Sequence, residues 1–575
     1  MKRRFLIPGA LSLSLAFIII FFLIKASGGE EKALSGPDGS GRVTEATISP
    51  PVLSVPSGFY EDPFYLTLSA PAGTEIHYTL DGSEPTGESP LYKEEIKIYD
   101  PSGEPDRFAA ETDIISRLDH DRYYPPEEPQ DKAFILRAKA FRGDEYSEST
   151  DAVYFLGFEN RPVYDSFPVV SVMTDPDNLF DPELGIMVSG KNADQYLSEH
   201  DPESISWDED LTFGNFNQRG IDWEREGVVT LFDETHALTG SDKAGIRIKG
   251  GKSRVYPQKS LNLFARKEYS GSRCFSFPFF AGDTTEHSVT LYAGGNDTYT
   301  KMKDRLFEDL TKSLSFETVR SRPVFVFLNG EFWGFYHLSE HFGEDFLAEK
   351  YGIDPDNIVF AKSTTNEKRL EYDTEKMERI ESGATYDELV NIAENRDLSD
   401  PEEYRHFTEA VDMTSLTEYY ASRIYIENTR DWPTGNTAIW RVIDPGEKDG
   451  ITDGRWRYLS FDVNTASMTA LSENGIDLAR EKSPLFDNLM KNSEFRKEFR
   501  EVMYRLAGET FAPERVLPAI DALEERFAAP CDKTRERFYS GYPSKNYKEE
   551  VDVYREFFRK RPEYILRYTD EACLP

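Results

Sequence analysis

Glu427-Asn428-Thr429-Arg430-Asp431-Trp432-Pro433-Thr434-Gly435-Asn436 is the stretch on which the fold turns, read together with Ala438-Ile439-Trp440-Arg441-Val442 and Arg455-Trp456-Arg457-Tyr458-Leu459-Ser460-Phe461-Asp462-Val463-Asn464. Just upstream, residues 414–426 place Leu416, Tyr419, Tyr420 and Ile424 at helical spacing, and the polar residues after them predict a loop. The two aromatic and β-branched runs flank a Gly/Asp-rich turn, which predicts two short strands. The order is helix, a loop carrying Asp431 and Asn436, strand, turn, strand, and then Asp462 where the second strand ends.

Protein kinases deploy their chemistry in that order. One carboxylate, here Asp431, accepts or orients the hydroxyl proton of the acceptor. A carboxylate and an amide oxygen, Asp462 and Asn436, hold Mg²⁺ against a triphosphate, since that hard cation takes oxygen ligands. The same residue types also cap turns, so the loop by itself leaves both readings open. Further support comes from Gly245-Ile246-Arg247-Ile248-Lys249-Gly250-Gly251-Lys252-Ser253 and Lys259-Ser260-Leu261-Asn262-Leu263-Phe264. They predict strand, Gly-rich turn and strand, with Lys259 opening the second strand. Gly250 and Gly251 let backbone N–H groups approach phosphate, Lys252, Ser253 and Arg247 lie beside them, and a strand lysine can neutralise phosphate charge. Arg247, Lys249, Lys252, Arg254 and Lys259 form a basic island without an acid. A Walker loop is excluded because position 246 is Ile where glycine is required, and strand residues follow where a helix should begin.

The island stands out because the chain of 575 residues carries 67 basic and 104 acidic residues, a net charge of −37. Such a chain is unsuited to nucleic acid or to peripheral docking on anionic lipid. Its 39% hydrophobic and 13% aromatic content suffices for real cores. Three cysteines make neither a disulfide framework nor a four-thiolate zinc site. Lys2-Arg3-Arg4 precede an apolar run from Phe5 to Ile24, which is long enough to span a bilayer with the rest of the chain outside. Residues 1–27 are expected to form a membrane anchor, with a cleaved signal segment and secretion as the alternative. Residues 28–48 read as a linker.

Residues 49–157 hold short strands between turns, which predicts a β-sandwich, with 100–131 as a long inserted loop. Residues 165–570 read as one mixed unit, β-rich first and helical later. Asn329-Gly330 between two apolar runs predicts a type I′ hairpin. Phe495, Phe499, Val502, Met503 and Leu506, then Val516, Ile520, Leu523 and Phe527, predict helices. His337-Leu338-Ser339-Glu340-His341 matches an inverted zinc-protease pattern, but His337 continues the hairpin strand, whereas that chemistry needs both histidines on one helix face. Paired carboxylates for glycoside hydrolysis cannot be singled out among 104 acids.

Two resemblances cover most of the chain. "GFYEDPFYLTLSAPAGTEIHYTLDGSEPT", "LRAKAF" and "AVYFLG" resemble the sandwich at the C-terminus of chitobiases and hexosaminidases, an accessory module that implies a spacer or a weak glycan contact. "FPVVSVMTDPDNLFDPELGIMVSG", "WEREGVVTLFD", "GIRIKGGKSRVYPQKSLNLFARKEY", "LYAGGNDTYTKMKDRL", "VFLNGEFWGFYHLSEHF", "ENTRDWPTGNTAIWR" and "WRYLSFDVN" resemble the spore-coat protein H (CotH) family of atypical kinase-like proteins. That resemblance implies an α+β, atypical protein-kinase-like fold behind a small all-β sandwich. It also implies ATP with Mg²⁺ or Mn²⁺ as cofactor, and a Ser-rich surface or coat protein as substrate. By position, Asp431 looks like the catalytic base, Asp462 and Asn436 like metal ligands, and Lys259 like the phosphate lysine, with Glu340 or Glu308 as its partner. Asn464 stands where many relatives carry a second Asp, as a further, less charged ligand. The alternative implication is a surface-tethered structural or adhesive protein that retains the fold.

Overall fold

Asn329 and Gly330 both have positive φ (45° and 83°), as a type I′ turn requires, and they join strands Ser321–Leu328 and Glu331–Glu340. The computed structural model describes residues 48–574 apart from 119–122, 207–212, 283–285, 364–372, 381–390, 392–394, 429–431, 434, 447–449 and 542–545. The expected anchor (1–27) falls outside them, as does the linker apart from its last residue, Ile48. Among the described residues, no helix is long and apolar enough to cross a membrane.

The hairpin closes a seven-stranded barrel. We number its strands β1 (Val169–Met173), β2 (Arg225–Phe232), β3 (Leu238–Lys249), β4 (Ser260–Phe264), β5 (Ser288–Tyr292), β6 (Ser321–Leu328) and β7 (Glu331–Glu340). Their order is β1-β2-β3-β4-β5-β7-β6, and β6 returns parallel to β1. Strand alternation sorts the side chains. Val170, Val172, Val324, Val326 and Leu328 fill the barrel. Val169, Met173, Phe325 and Phe327 face outward into a second core shared with the helices.

A three-stranded antiparallel sheet follows: β8 (Ile358–Ser363), β9 (Thr437–Val442) and β10 (Arg457–Leu459). The helices that carry the argument are α1 (Lys303–Thr311), α2 (Met413–Tyr425), α3 (Ser493–Arg505), α4 (Pro513–Tyr539) and α5 (Tyr547–Cys573). The periodic residues Phe495, Phe499, Val502 and Met503 are buried on α3, and Val516, Ile520, Leu523 and Phe527 on α4. The expected strand over 455–461 is shorter, β10 covering only Arg457–Leu459, because Ser460 turns to bond Glu317. No disulfide links Cys274, Cys531 and Cys573.

The N-terminal sandwich is not a loose appendage. Its sheet runs Gly58–Tyr60, Thr150–Leu156, Phe134–Arg142, Glu75–Thr79. On strand Thr150–Leu156, Ala152, Tyr154 and Leu156 enter the sandwich core. Val153 and Phe155, on the other face, enter the core shared by barrel and helices. The segment read as an inserted loop is likewise docked. The Glu331 carboxylate accepts the backbone N–H groups of Arg107, Phe108 and Ala109 at 2.6–3.0 Å. The described residues from Ile48 onward thus pack as one unit.

Candidate active site

Lys249 ends β3 as the last residue before the Gly250-Gly251 turn, and it is the lysine that faces carboxylates. Its ammonium lies 5.1 Å from the ring centre of Tyr292 and 5.7 Å from that of Phe342. Burial pushes its pKa down, while Asp462, Asp304 and Glu308 push it back up. Asp304 and Glu308 stand four residues apart on α1, so both side chains project from one helix face. Asp462 follows β10 with φ 55°, in the left-handed region.

The Tyr292 hydroxyl lies 2.9 Å from Asp304 Oδ2 and 3.3 Å from Asp462 Oδ1. Asp304 Oδ1 also accepts the Val463 backbone N–H at 2.6 Å, which ties α1 to the Asp462 turn. Burial, then the Asp462 charge, push Asp304 up to about 7. Burial and Asp304 push Glu308 up to about 8, although Ser321 Oγ donates to it at 2.7 Å. These carboxyls are therefore short of positive charge.

Asn464 is buried, and its amide donates to Asp462 Oδ1 and to the Tyr292 hydroxyl. Its Oδ1 accepts from the backbone N and the Nδ2 of Asn296 at 3.1 and 2.9 Å. Gly295 makes room for this: at φ 56°, a Cβ there would lie 2.8 Å from both Asn464 Nδ2 and the Tyr292 hydroxyl. Tyr256, beyond the Gly250-Gly251 turn, reaches the same place through its bond to Asn296 Oδ1 at 3.0 Å.

The sequence-predicted residues divide. Asp462, Asn464 and Glu308 come together, and Lys249 joins them. Lys259 does not. It is fully buried, and its ammonium donates to the carbonyls of Ile114, Arg254 and Tyr256 at 2.7, 2.7 and 2.9 Å. Its three donors are thereby matched to three acceptors inside the protein, so the phosphate role expected of Lys259 is corrected to a structural one. Glu340 is held by Arg320 at 2.7 Å, which leaves Glu308, of the two glutamates, as the one that acts on Lys249 beside Asp462 and Asp304.

Arg247 lies against the buried Glu224 carboxylate at 3.1 Å, shared with Arg266, so it too is turned to an internal partner. Gly250 has φ 123°, and Ser253 Oγ occupies the space its Cβ would need. Lys252 is exposed on the turn. Arg254, the island's fourth cation, donates to the carbonyls of Gly250, Phe216 and Gln218. Asn436 is buried with φ 49° at the entrance to β9. Asp431 lies outside the described residues. His337 is a strand residue, as its place in the hairpin predicts, with Nε2 bonded to the Lys301 carbonyl, and His341 Nδ1 meets Ser288 Oγ.

Residues 246–565, more than half of the chain, match the family described as CotH kinase protein. The chain belongs to that family. Residues 55–103 match the Chitobiase/beta-hexosaminidase C-terminal domain. No curated protein matches the chain. Within the CotH match lie Lys249, Tyr292, Asp304, Glu308, Asp462 and Asn464, so the cluster belongs to the CotH part of the molecule and not to the sandwich.

Sequence reasoning missed Tyr292, Asp304 and the role of Lys249. The Asp304/Glu308 spacing on an amphipathic stretch was a usable signal, drowned by the abundance of acids. The donor set suits a hard divalent cation. Among the described residues, no three His, Cys, Asp or Glu side chains form a ready-made metal cage. Two carboxylates with the remaining positions left to water and phosphate oxygens are what Mg²⁺ ordinarily takes.

Proposed function

We propose that this CotH-family protein is an ATP- and Mg²⁺-dependent phosphotransferase acting on Ser or Thr hydroxyls of a surface or coat protein. The observation that carries the reading is the convergence of Lys249 with Asp304, Glu308 and Asp462. Lys249 would bind the phosphates, and Glu308 would hold its ammonium in place. Asp462 and Asp304 would hold the cation, which when bound supplies charge neutralisation at the transferring phosphoryl group. Asp431 would take the hydroxyl proton of the acceptor. Asn464 positions Asp462 by donating to it, and with its Oδ1 engaged by Asn296 it serves better as a positioning group than as a ligand.

Three basic residues before an apolar run support a single-pass anchor, with the described unit outside the membrane.

The test uses the full chain in detergent with γ-labelled ATP, Mg²⁺ and a Ser-rich acceptor protein, beside Lys249→Ala and Asp462→Ala. Label transfer by the wild type and its loss in both variants is the expected result. A wild type that neither transfers label nor shows a nucleotide-dependent thermal shift overturns the reading.

A further inference from the structure

The last turn of α2 carries an arginine where an exposed residue would be expected. Arg423 is fully buried, its guanidinium 5.2 Å from the ring centre of Tyr419. A buried guanidinium is costly unless its donors find acceptors, so its partners show what the position is for. Nη2 donates to the carbonyl of Phe461 at 2.7 Å, the residue immediately before Asp462. Nη1 donates to Asn428 Oδ1, and Asn428 Nδ2 in turn donates to Thr465 Oγ1 at 3.0 Å, the residue immediately after Asn464. Asn428 is itself fixed by its backbone N–H on the Arg423 carbonyl at 3.0 Å. A further brace runs from the Ser467 N–H to the Glu427 carbonyl at 3.1 Å.

The end of α2 therefore grips the turn 461–467 on both sides of Asp462 and Asn464. The turn needs gripping. Asp462 sits at φ 55°, which costs a non-glycine residue energy unless its surroundings fix it. Its carboxylate also faces that of Asp304 across one hydroxyl, and the two repel. Helix capping alone would be served by bonds to the α2 carbonyls. The guanidinium instead reaches across to a carbonyl 38 residues on in the chain.

We infer that Arg423 is a positioning residue, which sets the backbone of the Asp462 turn so that the carboxylate is presented to a divalent cation. The inference rests on the function proposed above. It makes a distinction that a purely structural role would not: losing Arg423 should impair the cation-dependent part of nucleotide binding and spare the rest, which Lys249 and the barrel supply.

The test measures ATP affinity of the full chain in detergent, in EDTA and in Mg²⁺, for the wild type, Arg423→Met, Arg423→Lys and Thr465→Val. In the wild type, Mg²⁺ tightens ATP binding. In Arg423→Met that gain falls by about tenfold or more, the usual scale for losing a group that orients a metal ligand, and affinity in EDTA stays within about twofold. Arg423→Lys, which retains one donor for Phe461, recovers part of the gain. Equal weakening with and without Mg²⁺, or no change in either, overturns the inference and leaves the proposed function standing. A wild type that binds ATP no better with Mg²⁺ overturns the proposed function and this inference with it. If Arg423→Met does not fold, Thr465→Val decides by the same comparison: a reduced Mg²⁺ gain supports the inference, and an unaltered one overturns it.

Discussion

Asp304 and Asp462 converge on the hydroxyl of Tyr292, at 2.9 and 3.3 Å, from a barrel-side helix and from the turn after β10. One O–H carries one proton and cannot satisfy two carboxylates, so the pair is under mutual repulsion in the absence of a cation. Asp304→Asn removes that repulsion and should raise the melting temperature in EDTA by about 2 °C or more. The same variant should lose the extra stabilisation that Mg²⁺ gives the wild type, because a ligand specific to the folded state stabilises it by mass action. Thermal scans with EDTA and with Mg²⁺ check both halves. A variant less stable than the wild type in EDTA would mean that the pair is a structural hydrogen-bonded unit.

Lys249 and Lys259 should separate cleanly in behaviour. Lys259→Met leaves the carbonyls of Ile114, Arg254 and Tyr256 without their donor inside the protein. The cost should be about 3 kcal/mol or more, seen as a lower urea midpoint. Whatever fraction remains folded should still bind ATP. Lys249→Met should do the reverse, with the urea midpoint little changed and the nucleotide-dependent thermal shift gone. An ATP-binding defect in folded Lys259→Met would reassign the phosphate lysine.

This division shows where the sequence is legible and where it stops. The hairpin could be read because a type I′ turn is a local demand met by Asn329-Gly330, and α3 and α4 because their apolar period is local too. Asp462 was also within reach, since residue type and order narrow the choice. The two lysines were not, because they differ by a contact with Ile114, 145 residues distant in the chain. Nothing around position 259 announces that a segment of the sandwich module will supply the third of its acceptors, beside the local carbonyls of Arg254 and Tyr256. Glu340 likewise looks as eligible as Glu308 until Arg320 is seen beside it.

The same segment makes the sandwich part of the folding unit. Glu331, at the start of β7, receives three backbone N–H groups from residues 107–109 and is itself buried. Glu331→Ala leaves those three donors without their acceptor and should destabilise the protein by about 2–4 kcal/mol. It should also make residues 104–131 the first site of limited proteolysis, well before the barrel is cut. Cleavage elsewhere first would show that the segment's other contacts, among them the Lys259 bond to the Ile114 carbonyl, suffice to hold it.

Acid sensitivity should trace in part to His337. The ring is buried on β7, its Nε2 hydrogen-bonded to the Lys301 carbonyl, and burial pushes its pKa down from 6.5 to about 4. In the unfolded chain the ring takes up a proton once the pH falls through about 6.5, whereas in the folded protein it stays neutral until about 4. Between those values the unfolded state binds more protons, so stability is full above the upper pKa and is lost as the pH falls toward the lower one. The loss from this one group should be about 2 kcal/mol between pH 7 and pH 5. His337→Gln keeps a donor for the Lys301 carbonyl and does not titrate. The stability difference between wild type and variant, from urea unfolding at the two pH values, should therefore shift by that amount in favour of the variant at pH 5. A difference that does not move with pH would mean that the fold leaves the proton affinity of His337 unaltered, and a shift in favour of the wild type at pH 5 would mean that the folded ring carries a proton.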